Sequence, residues 1–312
     1  MATSSDAQRA PKEWMTTRLH RAAGEGATEI DWSDAVIRKA IEVDVAKCRV
    51  MRENRCKEDA ERGFRPVGDD LMGPLASEQR LQFDVSAYPL RDALVQCLST
   101  PELGTKAWSR LELVHATHDS KRDKMLLLSG LLSPDRRIAF QSLYDSFVRG
   151  VIGSHLKSQG VTAFYYQSFP CLRVIRPGEF SLGVHSDVYY NFSQASVNYW
   201  IPLTQVSGTN SLVIESHPGL EDWHSLEGDF GDVFQFWGAM CAHFTPENTT
   251  TATRVSLDFR IILSSLFEPS HDRYSSEPGY YCRAVLTDSF EWVRETPAEL
   301  PTPDSRVGIP FV

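Results

Sequence analysis

Two residues in the stretch LGVHSDVYYNF (182–192), His185 and Asp187, have side chains that commonly bind metal ions. In an extended chain, residues two apart point to the same side, so the pair can chelate one ion from the end of a strand. Two ligands are too few, because a non-haem iron facial triad takes two histidines and one carboxylate. Taken alone, the motif fits an ordinary polar turn equally well.

His243 is the candidate for the third ligand. It follows the apolar strand pattern DVFQFW (232–237) and precedes a polar loop, PENTTTAT (246–253). This places the histidine at the edge of a predicted strand. A metal site built from His185, Asp187 and His243 therefore needs the fold to bring two distant segments together.

Arg254 opens the predicted strand RVSLDFRIIL (254–263), on which Arg254 and Ser256 share one face. A buried arginine needs an anionic partner, and a carboxylate fits its planar fork best. Ser256 can add a hydrogen bond to the same carboxylate. Arg260 lies on the same face and is the second candidate, with pairing to Asp258 or substrate binding as alternatives. The opposite face is apolar: Val255, Leu257, Phe259 and Ile261.

The HSD motif, a histidine 56 residues after Asp187, and an RVS motif eleven residues further on resemble the iron(II)/2-oxoglutarate-dependent oxygenases. The stretches 198–219 and 231–256 are also similar to that superfamily. They are most like the natural-product hydroxylases of the StrG-like and phytanoyl-CoA-hydroxylase-like kind. The resemblance covers roughly residues 160–265.

The resemblance implies a dioxygenase in which His185, Asp187 and His243 bind iron(II). It implies that Arg254 pairs with the distal carboxylate of the co-substrate 2-oxoglutarate, supported by Ser256, and that O2 is the second co-substrate. The enzyme would hydroxylate, desaturate or cyclise a small molecule, releasing succinate and CO2. In halogenating relatives a small residue replaces the carboxylate ligand, so Asp187 favours hydroxylation.

Further polar and aromatic residues are candidates for the same site. Arg173 is expected to bind 2-oxoglutarate or a substrate carboxylate, with a structural ion pair as the alternative. Asn198 is expected to hydrogen-bond the co-substrate or the substrate. Four residues are expected to contact the substrate: Tyr165, Tyr190, Trp237 and Arg260. For the three aromatic residues, packing in the hydrophobic core is the alternative.

The elements that must position these residues change in character along the chain. Helical patterns cover 31–62, 90–99 and a segment that starts at Ser133 and Pro134 and ends near Gly160. Short runs rich in β-branched and aromatic residues follow, separated by Gly, Pro, Asn and Ser, and favour a β-sandwich or jelly roll. The sequence therefore predicts an α+β fold with helices bracing a sheet, and the resemblance implies a double-stranded β-helix (jelly roll).

The predicted organisation is a flexible leader (1–29) and a single oxygenase domain (30–312). The domain comprises helical support (30–160), a jelly-roll catalytic core (161–265) and a C-terminal cap or tail (266–312). Within the tail, YYCRAVL and FEWVRE are each a possible strand or helix.

The composition of the chain limits the classes of molecule that the protein is expected to bind. The formal net charge of -9 disfavours nucleic acid, although local arginines can still bind a small anion. No signal peptide or apolar run of membrane-spanning length is found, so no membrane partner is expected. Six scattered cysteines without a CxxC pair indicate reduced thiols and a cytoplasmic protein. The expected partner is a small-molecule substrate, an amino acid or a natural-product intermediate, and the sequence does not indicate an oligomeric state.

Two other functions remain open at this point. A cupin-like metalloenzyme, either an isomerase or a dioxygenase without a co-substrate, would usually have more histidine ligands and no need of Arg254. A non-catalytic jelly-roll binding protein would have no reason to keep both a complete metal triad and Arg254.

Overall fold

The structure is a computed structural model that describes residues 15–24, 26–98, 110–114, 133–271, 274–275 and 279–286. Helices fill most of the first half of the described chain, and antiparallel strands follow. The helices are α1 (Met15–Ala23), α2 (Ala35–Glu61), α3 (Asp69–Met72), α4 (Leu90–Leu98), α5 (Pro134–Phe147) and α6 (Ser154–Ser158), with a π-helical turn at Val148–Gly153 between the last two. The strands are β1 (Gln79–Gln82), β2 (Ala163–Gln167), β3 (Cys171–Ile175), β4 (Val197–Pro202), β5 (Val213–Ile214), β6 (His224–Ser225), β7 (Asp232–Phe236), β8 (His243–Phe244), β9 (Arg254–Leu263) and β10 (Tyr281–Val285).

The strands form two antiparallel sheets. The larger has the order β1-β7-β4-β9-β2-β10, and β3 also pairs with β9. The smaller has the order β6-β5-β8, and an isolated antiparallel bridge between His185 and His243 lies beside β8. The prediction of a mixed helical and β fold is thus confirmed.

Strand β9 organises the larger sheet because β4 pairs along one of its edges while β3 and β2 pair along the other. Its apolar face joins the main core with residues of α4 and α5. The predicted alternation is confirmed, because Arg254, Asp258 and Arg260 on its other face line a cavity.

Helix α2 lies within the helical pattern at 31–62 and begins at Ala35. Asp34 is its N-cap, and its carboxylate accepts a hydrogen bond of 2.6 Å from the Val36 N–H. The helix ends at Glu61, and Gly63 follows with a φ of 87°, which only glycine adopts without strain.

The segment predicted to be a flexible leader contains a helix. Met15 and Leu19, four residues apart on α1, are buried in a second core cluster with Ile41 and Val45 of α2. The sequence interpretation of 1–29 was wrong for 15–23, because two apolar residues at helical spacing suffice to dock a short helix once α2 offers a partner.

Other predicted segments have mixed outcomes. YYCRAVL forms β10 and adds a strand to the larger sheet next to β2. FEWVRE lies outside the described residues. Within the part of the chain that the structure describes, no helix is both long and apolar enough to cross a membrane.

Candidate active site

The two candidate histidines face one another across a short backbone bridge. The His185 N–H donates to the His243 carbonyl over 3.1 Å, the His243 N–H donates back over 2.8 Å, and the ring centroids are 4.2 Å apart. Each Nδ1 lies against the carbonyl two residues earlier, Gly183 O at 2.7 Å and Cys241 O at 3.0 Å. A carbonyl only accepts, so each Nδ1 carries the proton and each Nε2 keeps a lone pair for a metal.

Asp187 completes the group. It starts a 3-10 turn rather than continuing a strand, and its N–H donates to the Gly238 carbonyl over 2.9 Å. Its Oδ1 lies 3.8 Å from His185 Nε2 and 3.6 Å from His243 Nε2. One ligand atom from each of the three buried residues lies within 4.8 Å of the others, the arrangement that a facial triad requires.

The second oxygen of Asp187 is held by two donors. Arg260 Nε donates to Oδ2 over 2.7 Å, and Asn198 Nδ2 donates to the same atom over 2.8 Å. Gly238 leaves the space for Asn198, because a Cβ at this position would lie 2.5 Å from Asn198 Nδ2. Oδ2 is therefore fixed by protein donors, and Oδ1 faces the histidines.

Electrostatics keep the three side chains in their metal-binding forms. Burial raises the pKa of Asp187, but the Arg260 guanidinium and the two histidines together hold that pKa well below its usual range. Burial lowers the pKa of His185 to about 3 and also lowers that of His243. At neutral pH the carboxylate is thus ionised and both imidazoles are neutral.

Arg254 is a buried cation without a carboxylate partner among the described residues. Its Nη1 donates to the Ser211 carbonyl over 2.9 Å, its Nη2 donates to Thr245 Oγ1 over 3.2 Å, and its Nε has no acceptor. Burial lowers its pKa to about 9, which reflects the cost of holding this charge away from water. The side chain lines the same cavity as the histidines and Asp187, a space of about 140 Å³.

Arg173 and Arg260, by contrast, are paired through Asp258. Arg173 Nε and Nη2 donate to the two Asp258 oxygens over 2.8 and 3.3 Å, and Arg260 Nη1 lies 3.6 Å from Oδ2. The structural ion pair considered for Arg173 is thus present. Arg173 also lines the cavity, and its Nη1 has no acceptor among the described residues.

The remaining candidates divide between cavity and core. Tyr190 lines the cavity, with its ring centroid 5.2 Å from that of His185. Trp237 is buried in the main core and donates to the Gln194 carbonyl over 2.7 Å, and Tyr165 stacks on Phe267 at 3.7 Å, so neither lines the cavity. Ser256 is fully buried with no hydrogen-bond partner for its hydroxyl among the described residues, and it does not line the cavity either.

The cavity contains an aromatic wall that the motifs did not reveal. Tyr274 and Tyr280 come from the segment after 266, where no motif marked them, and Phe192 stacks on Tyr274 with centroids 4.3 Å apart. Trp200 could have been found from its alternation with Asn198 on β4. The other lining residues that sequence reasoning missed are Cys171, Ser181, Leu182, Leu212, Phe236 and Thr245.

A buried ion pair connects α2 to the backbone just before His243. Arg52 Nη1 donates to Glu215 Oε1 over 3.1 Å and to the Met240 carbonyl over 2.6 Å. Glu215 Oε1 accepts from the Ala242 N–H over 2.7 Å. The helix thereby braces the turn that presents His243, a contact between residues far apart in sequence.

Comparison with known proteins bears on the StrG-like resemblance that the motifs indicated. No protein-family model matches this chain. Over 207 residues the chain is 28% identical to the streptomycin biosynthesis protein StrG of Streptomyces griseus, a match that covers 66% of this chain and 94% of StrG.

Solved structures give weaker matches. They include EctD from S. alaskensis in its apo form (13% identity, 69% of this chain, 83% of that chain, TM-score 0.36). They also include CytC3 with Fe(II) and alpha-ketoglutarate (10% identity, 64% of this chain, 78% of that chain, TM-score 0.34). These TM-scores are too low to establish a shared fold. The StrG match nevertheless confirms the StrG-like resemblance predicted from the motifs.

Proposed function

We propose that this chain is an iron(II)- and 2-oxoglutarate-dependent oxygenase that acts on a small molecule. One observation carries the proposal. Arg254 is a buried guanidinium with no carboxylate partner in the described part of the chain, and it lines the same cavity as a group of two neutral histidines and an ionised aspartate. A dicarboxylate that chelates a metal at one end and pairs with an arginine at the other matches both features.

In this proposal His185, Asp187 and His243 hold the iron through two Nε2 atoms and one carboxylate oxygen. Iron(II) held there would supply the activation of O2, by which one oxygen atom would enter the succinate formed from 2-oxoglutarate, with release of CO2, and the other the hydroxylated product. Arg254 binds the distal carboxylate of 2-oxoglutarate, and Ser211 and Thr245 hold its guanidinium in place. Ser256, which the motif suggested for the same carboxylate, does not line the cavity and is left out of the proposed site.

Arg260 and Asn198 position Asp187. Arg260 Nε and Asn198 Nδ2 are occupied by that carboxylate, so these two atoms do not bind 2-oxoglutarate. Both donate to Oδ2, so Oδ1 is the oxygen turned toward the metal. Asn198 keeps one free acceptor, because its Oδ1 has no hydrogen-bond partner among the described residues, and that atom accepts a hydrogen bond from an O–H or N–H donor of the substrate.

The substrate is a small molecule, an amino acid or a natural-product intermediate, that enters beside the aromatic wall. Tyr190, Tyr274 and Tyr280 exclude water from the reacting carbon, and Asp187 favours hydroxylation over halogenation. The strands form a jelly-roll core within one oxygenase domain. A cupin-like enzyme without a co-substrate would have no use for Arg254, and neither would a non-catalytic binding protein.

The test uses the full chain reconstituted with iron(II) and 2-oxoglutarate without oxygen. The complex should show a weak visible metal-to-ligand charge-transfer band, and His243→Ala should abolish both the band and succinate formation. Arg254→Ala should weaken 2-oxoglutarate binding by about tenfold or more while iron still binds. Arg80→Ala is the matched control, because Arg80 makes a bidentate pair with Asp232 at the edge of the same sheet.

Iron bound to the wild-type protein without the band would overturn the mechanism. Unchanged 2-oxoglutarate affinity in Arg254→Ala, together with its loss in Arg260→Ala, would transfer the anchoring role to Arg260.

A further inference from the structure

Arg173 lines the cavity, and one of its nitrogens has no hydrogen-bond partner among the described residues. Its Nε and Nη2 are occupied by Asp258, at 2.8 and 3.3 Å, and its side chain is only 13% exposed. Nη1 is buried and finds no acceptor in the described part of the chain. An unmet buried donor on a charged group is costly, so the cavity is built to receive an acceptor at this atom.

The charged side chains that line the cavity indicate the sign of the charge on that acceptor. Among the described residues, three arginines and two aspartates line the cavity, which leaves one net positive charge, since an imidazole that binds a metal is neutral. Iron(II) and the 2-oxoglutarate dianion cancel one another. The loaded cavity therefore keeps one positive charge in a poorly solvated space, where an anion is favoured.

Among the described residues that line the cavity, no carboxylate is open to pair with an ammonium group. Both oxygens of Asp258 accept from Arg173, and Oδ2 also lies 3.6 Å from Arg260 Nη1. Asp187 Oδ2 has two donors, and its Oδ1 faces the two histidine Nε2 atoms. A zwitterion would therefore bring its cation into a positive site without a partner.

From these observations we infer that the substrate carries an anionic group, a carboxylate or a phosphate, with no ammonium beside it, and that Arg173 Nη1 binds this group. The inference rests on the proposed function, because 2-oxoglutarate is counted among the charges. It narrows the substrate class from amino acids in general to anionic intermediates. Phe192, Tyr274 and Tyr280 then contact the uncharged skeleton.

The experiment titrates small probes into the anaerobic iron(II)–2-oxoglutarate complex and follows the shift of the charge-transfer band. Butanoate, 2-aminobutanoate, butan-1-ol and butyl phosphate share one short skeleton and differ in charge. Butanoate or butyl phosphate should bind at least about tenfold more tightly than both butan-1-ol and the zwitterion. The stronger of these two anions identifies the group as carboxylate or phosphate.

Arg173→Gln should remove this anion preference while the band with 2-oxoglutarate remains, and Arg80→Gln should leave the preference intact. Arg173→Lys keeps the charge and provides a second variant should the glutamine variant fold poorly; it should retain part of the preference. Equal or tighter binding of the neutral or zwitterionic probe to the wild type, or no binding of either anion, would overturn the inference. The same holds for an anion preference that survives in both Arg173 variants. A missing band in the wild type, before any probe is added, would instead overturn the proposed function.

Discussion

Arg260 donates from Nε to Asp187 Oδ2 over 2.7 Å, so the last arginine of β9 is committed to a candidate metal ligand. Its guanidinium carbon also lies 4.0 Å from the centre of the Phe192 ring. Arg254, at the start of the same strand, has no carboxylate partner among the residues that the structure describes. The two arginines on this strand face therefore have different partners, and the first prediction depends on that difference.

Replacing Arg260 should damage metal binding before it damages co-substrate binding. Arg260→Gln removes the charge that keeps Asp187 ionised and oriented, and losing such a support to a metal ligand typically lowers metal affinity about 10–100-fold. Anaerobic calorimetry with iron(II) measures the change, and Arg80→Gln serves as the control for loss of a surface arginine. Full iron affinity in Arg260→Gln would show that Asp187 does not depend on this pair.

Gly238→Ala should act through Asn198. The new Cβ would lie 2.5 Å from Asn198 Nδ2 and 2.6 Å from its Cγ, so the amide must move away from Asp187. We expect weaker iron binding and a loss of about 1–3 kcal/mol in the free energy of unfolding. In a double-mutant cycle, Gly238→Ala should cost less once Asn198→Ala has removed the obstacle. Strict additivity of the two changes would contradict this mechanism.

Arg52→Met should destabilise the protein much more than a matched change on the same helix. Arg52 is 12% exposed and its partner Glu215 1% exposed, so the variant leaves a buried carboxylate without its cation, at a cost of about 3–5 kcal/mol. Arg49 pairs with Glu221 at the surface, where its side chain is 51% exposed, so Arg49→Met should change the free energy of unfolding far less. Urea unfolding measures both, and similar losses would argue against a structural role for the buried pair.

The metal-free protein should lose stability as the pH falls below about 6.5. The pKa of His185 is lowered to about 3 by burial, so between these values the unfolded chain binds a proton that the folded protein does not. Stability therefore rises with pH in this window, and His185 alone contributes a loss of about 2 kcal/mol between pH 6.5 and 5. Burial lowers the pKa of His243 as well, and its effect has the same sign.

Asp187 extends the acid sensitivity to lower pH. Its pKa is depressed in the folded state, so its contribution is present above the unfolded pKa of about 3.9 and disappears as the pH falls below it. Thermal unfolding of the metal-free protein across this range provides the measurement, and His185→Gln should flatten the upper part of the curve. A wild-type curve that is flat between pH 6.5 and 5 would mean that the histidines are not buried as neutral bases.

The sequence alone brought His185, Asp187, His243 and Arg254 together as one hypothesis. Residue type and spacing nominated each residue, because few side chains bind metals and because the alternation on β9 separates polar from apolar residues whatever its neighbours are. The resemblance to the 2-oxoglutarate-dependent oxygenases implied that the four share one site. The structure places the first three within 4.8 Å and Arg254 on the same cavity.

The pairing of the charges could be decided only by the tertiary structure. Arg173 reaches Asp258 because β3 pairs with β9, and Arg260 reaches Asp187 because the 3-10 turn folds over that strand. No local pattern shows which arginine is left over, since an ion pair depends on which strands become neighbours and in which register. Tyr274, Tyr280 and the Arg52–Glu215 brace likewise come from segments whose positions depend on packing far along the chain. The sequence by itself thus determined which chemistry to look for, and the packing of distant strands decided which side chains remain free to perform it.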